Sequence, residues 1–312
     1  PVWYEKHGGR VISATINKYC FITARYLPPF FKYKHRIRYY QHEETLELDK
    51  IKHPSVRESA KYLKIEKGIE IVHNADLPAQ SGLGSSSTFT VGLLNALHAL
   101  QNYMPTKREL ALEAINVEQN LIGENVGSQD QTAAAFGGLN RITFNGGKDI
   151  DVEPIIISNE RRNEFQDNLM LFFTGFARTA SAVAITQIKV TPQKEKELNT
   201  MMEICNEGLK LLTNSKESLD KFGLLLNDQW DVKRSLTDKI SNKNIDEIYE
   251  AGINAGALGG KLLGAGGGGF MLFYVPKDKQ ENVKLKLKSK LFVPFRFEYS
   301  GSKIIYYSHY NS

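Results

Sequence analysis

Hydrophobic and polar positions alternate along the chain with two different periods. Residues 10–25 and 33–49 alternate one by one, as half-buried strands do, most clearly in "RYYQHEETLELDK". Residues 69–74, "IEIVHN", predict another short strand. Over 88–100, 107–122 and 128–136 the apolar residues recur at helical spacing, and "GGLNRITF" and "DIDVEPIII" return to strand patterns. The hydrophilic stretch "SNERRNEFQDN" is expected to mark a domain boundary near residue 160. Beyond it "LMLFFTG" predicts a strand, helical patterns run from 179 to 258, and the end reads strand, helix, strand, strand. The pattern predicts two α+β domains, residues 1–160 and 161–312.

Composition narrows the class. The 312 residues are 41% hydrophobic and 24% charged, ordinary for a globular protein. No apolar run approaches the roughly 18 residues of a membrane span, and no signal-peptide pattern opens the chain. A cytoplasmic protein with no membrane partner is expected. Cys20 and Cys205 stand in unrelated contexts, which favours reduced thiols over a disulfide. A formal charge of +5 suits an anionic ligand but is too mild to argue for nucleic acid. The opening "PVWYEKHGGRVISATINKY" reads as domain interior, so a segment is expected to precede Pro1.

Three glycine patterns compete for a phosphate. Gly264, Gly266 and Gly269 spell G-x-G-x-x-G, but that fingerprint needs a strand before it and a helix after it. Here a helical pattern precedes and "FMLFYV" follows, so the dinucleotide reading fails. "AGALGGKL" nearly spells a P-loop, yet Ala255 replaces the first glycine and Leu262 the metal-binding hydroxyl. "DLPAQSGLGSSSTFT" has the right order: strand, glycine loop, helix. Gly82 and Gly84 let backbone approach a phosphate, the helix start offers unpaired N–H donors, and Ser85, Ser86 and Ser87 add hydroxyls. The alternative, a serine cap after a turn, explains only one serine and one glycine.

"PAQSGLGSSS" resembles the P-x-x-x-G-L-G-S-S-[SA] signature of the GHMP kinases, and "KLLGAGGGGF" is similar to their third motif. The likeness covers nearly the whole chain. It implies a ribosomal protein S5 domain 2-like N-terminal domain, a ferredoxin-like C-terminal domain, and phosphoryl transfer from ATP with Mg2+ to a small molecule. It further implies that Pro78, Ser81, Gly82, Leu83, Gly84 and Ser85 to Ser87 bind the nucleotide, supported by Gly266 and Gly267.

Two carboxylates stand out. Glu118 falls inside the apolar stripe Ala111, Ala114, Ile115, Leu121, Ile122, where a charge is costly unless it is paired or holds a cation. The plainer reading puts it at the edge of the stripe, reaching solvent. Asp130 opens a helix in "GSQDQTAAAFGG", and Ser128 with Gln131 also spells a capping box, so residues alone leave its role open. By resemblance, Glu118 with Ser86 binds the metal and Asp130 is the catalytic base. The interval between them is one residue longer than in mevalonate kinases, which points to a sugar-kinase branch.

"YEKHGGRVISATINKY", "GSQDQTAAAFGG" and "LFFTGFARTAS" together resemble the D-glycero-D-manno-heptose phosphate kinases. That implies a sugar phosphate substrate, with Arg178 and Lys18 as ligands for sugar or phosphate, and a monomer or homodimer. The plainer reading of Arg178 is a surface arginine opening a helix. The family's first motif, a "GGGTD"-like turn, is expected before Pro1. A rival class is RNA binding through "FFKYKHRIRYY", which interleaves aromatics with basic residues. Any strand with one wet basic face reads the same way, and no recognised RNA motif accompanies it, so no nucleic acid partner is expected.

Overall fold

The computed structural model describes residues 1–79, 81–147, 149–175 and 180–308. The strands in chain order are β1 (Gly9–Ala14), β2 (Cys20–Tyr26), β3 (His35–Arg38), β4 (His42–Thr45), β5 (Ile69–Ala75), β6 (Leu139–Gly146), β7 (Asp149–Pro154), β8 (Leu169–Phe173), β9 (Gly259–Leu262), β10 (Phe270–Tyr274) and β11 (Leu291–Phe292). The helices are α1 (Tyr4–His7), α2 (Pro54–Tyr62), α3 (Ser85–Leu100), α4 (Lys107–Asn116), α5 (Gln129–Phe136), α6 (Asn159–Asp167), α7 (Ala180–Val190), α8 (Glu195–Thr213), α9 (Asp220–Arg234), α10 (Lys243–Asn254) and α11 (Gln280–Lys286). They assemble into two units that interleave along the chain. One holds Pro1–Asn17, Ala79–Gly84 and Leu139–Phe297, the other Lys18–Pro78, Ser85–Gly138 and Glu298–Ser312.

The first unit contains two antiparallel sheets, ordered β1-β6-β7 and β11-β8-β10-β9. Its larger core joins Met170, Phe172, Trp230, Ile245, Leu262, Met271 and Phe273. Alternation along β8 and β10 sends these side chains to the face that the helices cover. The expected boundary stretch at 158–168 is instead α6. Its Ser158 hydroxyl accepts from the Arg161 amide at 3.2 Å, and Phe165 and the Arg161 side chain are buried. The Arg161 guanidinium donates to the carbonyls of Leu211, Leu212 and Glu217, satisfying acceptors that the end of α8 leaves open. Strand β9, just beyond the helical stretch expected to end at 258, forms from the glycine-rich "GGKL" by pairing with β10.

The second unit is built on the sheet β2-β5-β3-β4, in which β3 runs parallel to β5 and the other pairs are antiparallel. Ile37, Ile69 and Ile71 from the sheet pack against Val56, Ala60, Phe89, Leu93 and Leu97 from α2 and α3. The expected strand over 33–49 is a hairpin. His35 and Ile37 of β3 are buried, while the outward Arg36 shares Glu70 with Arg25. Of the basic residues that suggested RNA, Arg36 therefore faces a carboxylate. Thr106 and Glu109 form a reciprocal capping box that starts α4. The last expected strand is absent among the described residues. Instead the tail returns to α5, with the Ser302 amide on the Ala134 carbonyl at 2.8 Å and the Gly138 amide on the Glu298 carbonyl at 2.9 Å.

Candidate active site

In the first unit, residues 81–84 lie against the glycine loop 263–269. Gly82 has φ +80°, and a Cβ added there would stand 2.8 Å from the Leu263 carbonyl oxygen. Gly264 has φ +73°, and its Cβ would meet the Gly82 Cα at 2.5 Å. Backbone is stacked directly on backbone, which only glycine permits at both positions. The 263–269 loop is held from several sides. Lys233 Nζ donates to the Leu262 and Gly264 carbonyls at 3.1 and 2.6 Å, Gln187 Nε2 to the Ala265 carbonyl at 2.7 Å, and the Thr174 hydroxyl to the Gly269 carbonyl at 2.9 Å. Burial, and secondarily the Lys261 charge, push the Lys233 amine down to about 7. Gly266 packs on Ile240, and the Gly267 amide is spent on the Ile240 carbonyl at 2.9 Å. These two glycines, expected to support the nucleotide loop, both lie against the Ile240 backbone. Ser81 is fully buried and its hydroxyl has no partner. Leu83 is partly buried, Pro78 is exposed, and Gly84 has φ +68°.

Directly after Gly84 the chain enters α3, whose first turn is Ser85, Ser86 and Ser87. A helix start carries free N–H groups and partial positive charge. Within the second unit, α3 packs beside the end of α4, where the chain widens into a π-helical turn over Val117–Ile122. Such turns recur at functional sites because they push one side chain off the regular face. Here it carries Glu118, which is fully buried. The solvent-reaching reading of Glu118 is therefore wrong. The hydroxyl of Ser87 donates to Glu118 Oε2 at 2.8 Å, and Gln131 Nε2 donates to the same oxygen. Burial is the largest influence on the carboxyl and raises it above the ordinary range, the Ser87, Thr90 and Gln131 side chains oppose the shift, and Glu124 reinforces it. Glu118 Oε1 is buried and without a partner.

That orphaned oxygen is the test of whether magnesium fits. A hard divalent cation takes carboxylate oxygens, and Mg2+ commonly uses one or two of them together with substrate phosphates. Among the described residues no group of three His, Cys, Asp or Glu side chains is suited to a metal. Of the expected metal pair, Glu118 is buried with one free oxygen. It is Ser87 that touches it, while Ser86 is exposed on the same helical turn. Ser87 and Thr90 stand at i and i+3 on the face that also carries Val91 and Leu94, a periodicity legible in the sequence.

Asp130 lies in the first turn of α5, partly buried. Burial pushes its carboxyl above the ordinary range, against a bond from Gln129. The alternative capping box does not form: Ser128 makes no side-chain cap, and Gln131 turns to Glu118 instead. Lys18, between β1 and β2, is partly buried. Arg178 falls outside the described residues.

Residues 52–138 match the model of the GHMP kinases N terminal domain, and residues 209–293 match GHMP kinases C terminal. The chain is similar to the D-glycero-alpha-D-manno-heptose 7-phosphate kinase of Campylobacter jejuni, with 35% identity over 236 residues, 73% of this chain and 68% of that protein. It is 25% identical to the galactokinase of Pyrococcus furiosus over 331 residues, 91% of each. A crystal structure of a D-glycero-D-manno-heptose 1-phosphate kinase from Bacteroides thetaiotaomicron shares the fold, with a TM-score of 0.75, 24% identity, and coverage of 96% of this chain and 90% of that one. With both family domains matched in order, and the glycine loop and buried glutamate in place, the chain belongs to the GHMP kinases.

Proposed function

We propose that the protein is an ATP-dependent sugar kinase acting on the anomeric hydroxyl of D-glycero-D-manno-heptose 7-phosphate, giving the 1,7-bisphosphate for a GDP-heptose route to surface polysaccharide. The observation that carries the kinase reading is Glu118: fully buried, one oxygen locked by Ser87 and Gln131 and the other unpartnered, on a helix turn beside the start of α3. Likeness to the Campylobacter heptose 7-phosphate kinase supports the substrate.

In this reading residues 78–87 wrap the ATP phosphates, and Glu118 with Ser86 holds magnesium, which neutralises charge on the phosphoryl oxygens. Asp130 orients the sugar hydroxyl and takes its proton as the new O–P bond forms and ADP leaves. A carboxyl raised by burial is a better proton acceptor than an ordinary one. Lys18 and Arg178 anchor the phosphate that the sugar already carries, since a phosphorylated acceptor needs cations apart from the ATP loop. The enzyme works in the cytoplasm.

The test compares kcat/KM for heptose 7-phosphate, heptose 1-phosphate, galactose and fucose. Heptose 7-phosphate is expected to lead. A neutral sugar that matches it removes the phosphate anchor from the account, and no ADP release with any sugar removes the kinase reading.

A further inference from the structure

Gln131 follows Asp130 in the first turn of α5 and is fully buried, as is Glu118. Its amide nitrogen donates to Glu118 Oε2. That bond fixes the amide's orientation, because the flipped form would set two oxygens against each other. With Ser87 on the same Oε2, two oxygens remain buried and unpartnered: Glu118 Oε1 and Gln131 Oε1. A buried oxygen with no donor is costly, and two on hydrogen-bonded neighbours make a joint demand for a donor or a cation. No Lys, Arg or His pairs with Glu118 among the described residues, and the charged neighbour acting on it is another carboxylate, Glu124. A water could satisfy the amide oxygen but would leave the negative charge uncompensated. A divalent cation answers both.

We infer that Gln131 Oε1 joins Glu118 Oε1 as an oxygen ligand of the divalent cation, while the Gln131 amide nitrogen holds the other Glu118 oxygen in place. The assignment rests on the reading of Glu118 as the metal carboxylate. An amide carbonyl is a neutral, hard donor of the kind Mg2+ and Mn2+ accept. Gln131 then has two separable jobs, one through nitrogen and one through oxygen.

Two substitutions separate them. Gln131→Leu and Gln131→Glu both delete the nitrogen donor, but only the second keeps an oxygen. Free Mn2+ is followed by electron paramagnetic resonance as Mn2+ is titrated into the full chain saturated with ADP. Gln131→Leu is expected to weaken Mn2+ binding ~10–100-fold, the usual cost of losing a group in a metal's immediate surroundings. Gln131→Glu is expected to bind at least as tightly as wild type. Equal weakening in both would reduce Gln131 to positioning Glu118, and unchanged binding in Gln131→Leu would remove it from the site; either overturns the inference. Glu118→Gln runs beside them: if it leaves Mn2+ binding intact, the underlying reading of Glu118 fails instead. Should Gln131→Leu not fold, Gln131→Met supplies an oxygen-free side chain of closer shape.

Discussion

The π-helical turn around Glu118 and the first turn of α5 around Asp130 hold a fully buried and a partly buried carboxylate of different surroundings. Glu118 is pinned by Ser87 and Gln131 on one oxygen and left open on the other. Burial raises both carboxyls above the ordinary range. On Asp130 the opposing influence comes from Gln129. In the proposed reading the fixed carboxylate serves as a stationary ligand while Asp130 meets the substrate and exchanges a proton, so similar electrostatics would serve different chemistry.

Removing the proton acceptor gives the largest expected effect. Asp130→Asn is nearly isosteric, so sugar and nucleotide binding should survive while kcat falls at least ~100-fold, the lower end for a general base. Turnover within a few-fold of wild type would make Asp130 a helix-start residue, and the contrast would collapse. Glu118→Gln comes next: kcat should fall ~100-fold and the Mg2+ concentration for half-maximal rate should rise, measured by ADP release against added Mg2+. An unchanged Mg2+ requirement would contradict the ligand role.

The sequence exposed some of this contrast. Glu118 sits inside an apolar stripe, which correctly signalled a buried carboxylate. The signature around Gly82 and Gly84 stood in the right strand-to-helix context. What stayed hidden depended on contacts between distant segments. Gln131 looked like a capping partner of Ser128 because that rule sees only neighbours in sequence, while its actual partner lies on another helix. The π-helical turn leaves no mark in an i, i+4 pattern. Likewise α6 was read as a boundary because its apolar content is a single Phe165, with the burial of Arg161 supplied by carbonyls of α8. Strand β9 was lost because "GGKL" has strand character only through its pairing with β10.

A smaller effect is expected from the supporting loop. Gly264→Ala places a methyl 2.5 Å from the Gly82 Cα at a φ of +73°, so the two loops must separate. KM for ATP should rise ~10-fold with kcat less affected, and stability should fall by about 1–3 kcal/mol from backbone strain. An unchanged KM would detach residues 263–269 from nucleotide binding.

The smallest effect concerns stability and pH. Because the folded carboxyl of Glu118 is raised, the native chain keeps a proton that the unfolded chain has already released. Without a divalent cation, wild-type stability therefore falls as pH rises from the ordinary carboxylate range through the raised value. Glu118→Gln should flatten that slope, so that its Tm relative to wild type improves from pH 5 to pH 8, on a scale of ~2–4 °C per kcal/mol. A variant that instead loses ground as pH rises would mean the Glu118 charge is already compensated by the protein.

The most direct test of this division of labour is Mn2+ affinity in the ADP complex of Asp130→Asn and Glu118→Gln, measured side by side with wild type. The account predicts near wild-type binding in Asp130→Asn, despite its lost turnover, and strongly weakened binding in Glu118→Gln. Retained binding in Glu118→Gln, or a loss confined to Asp130→Asn, would contradict it.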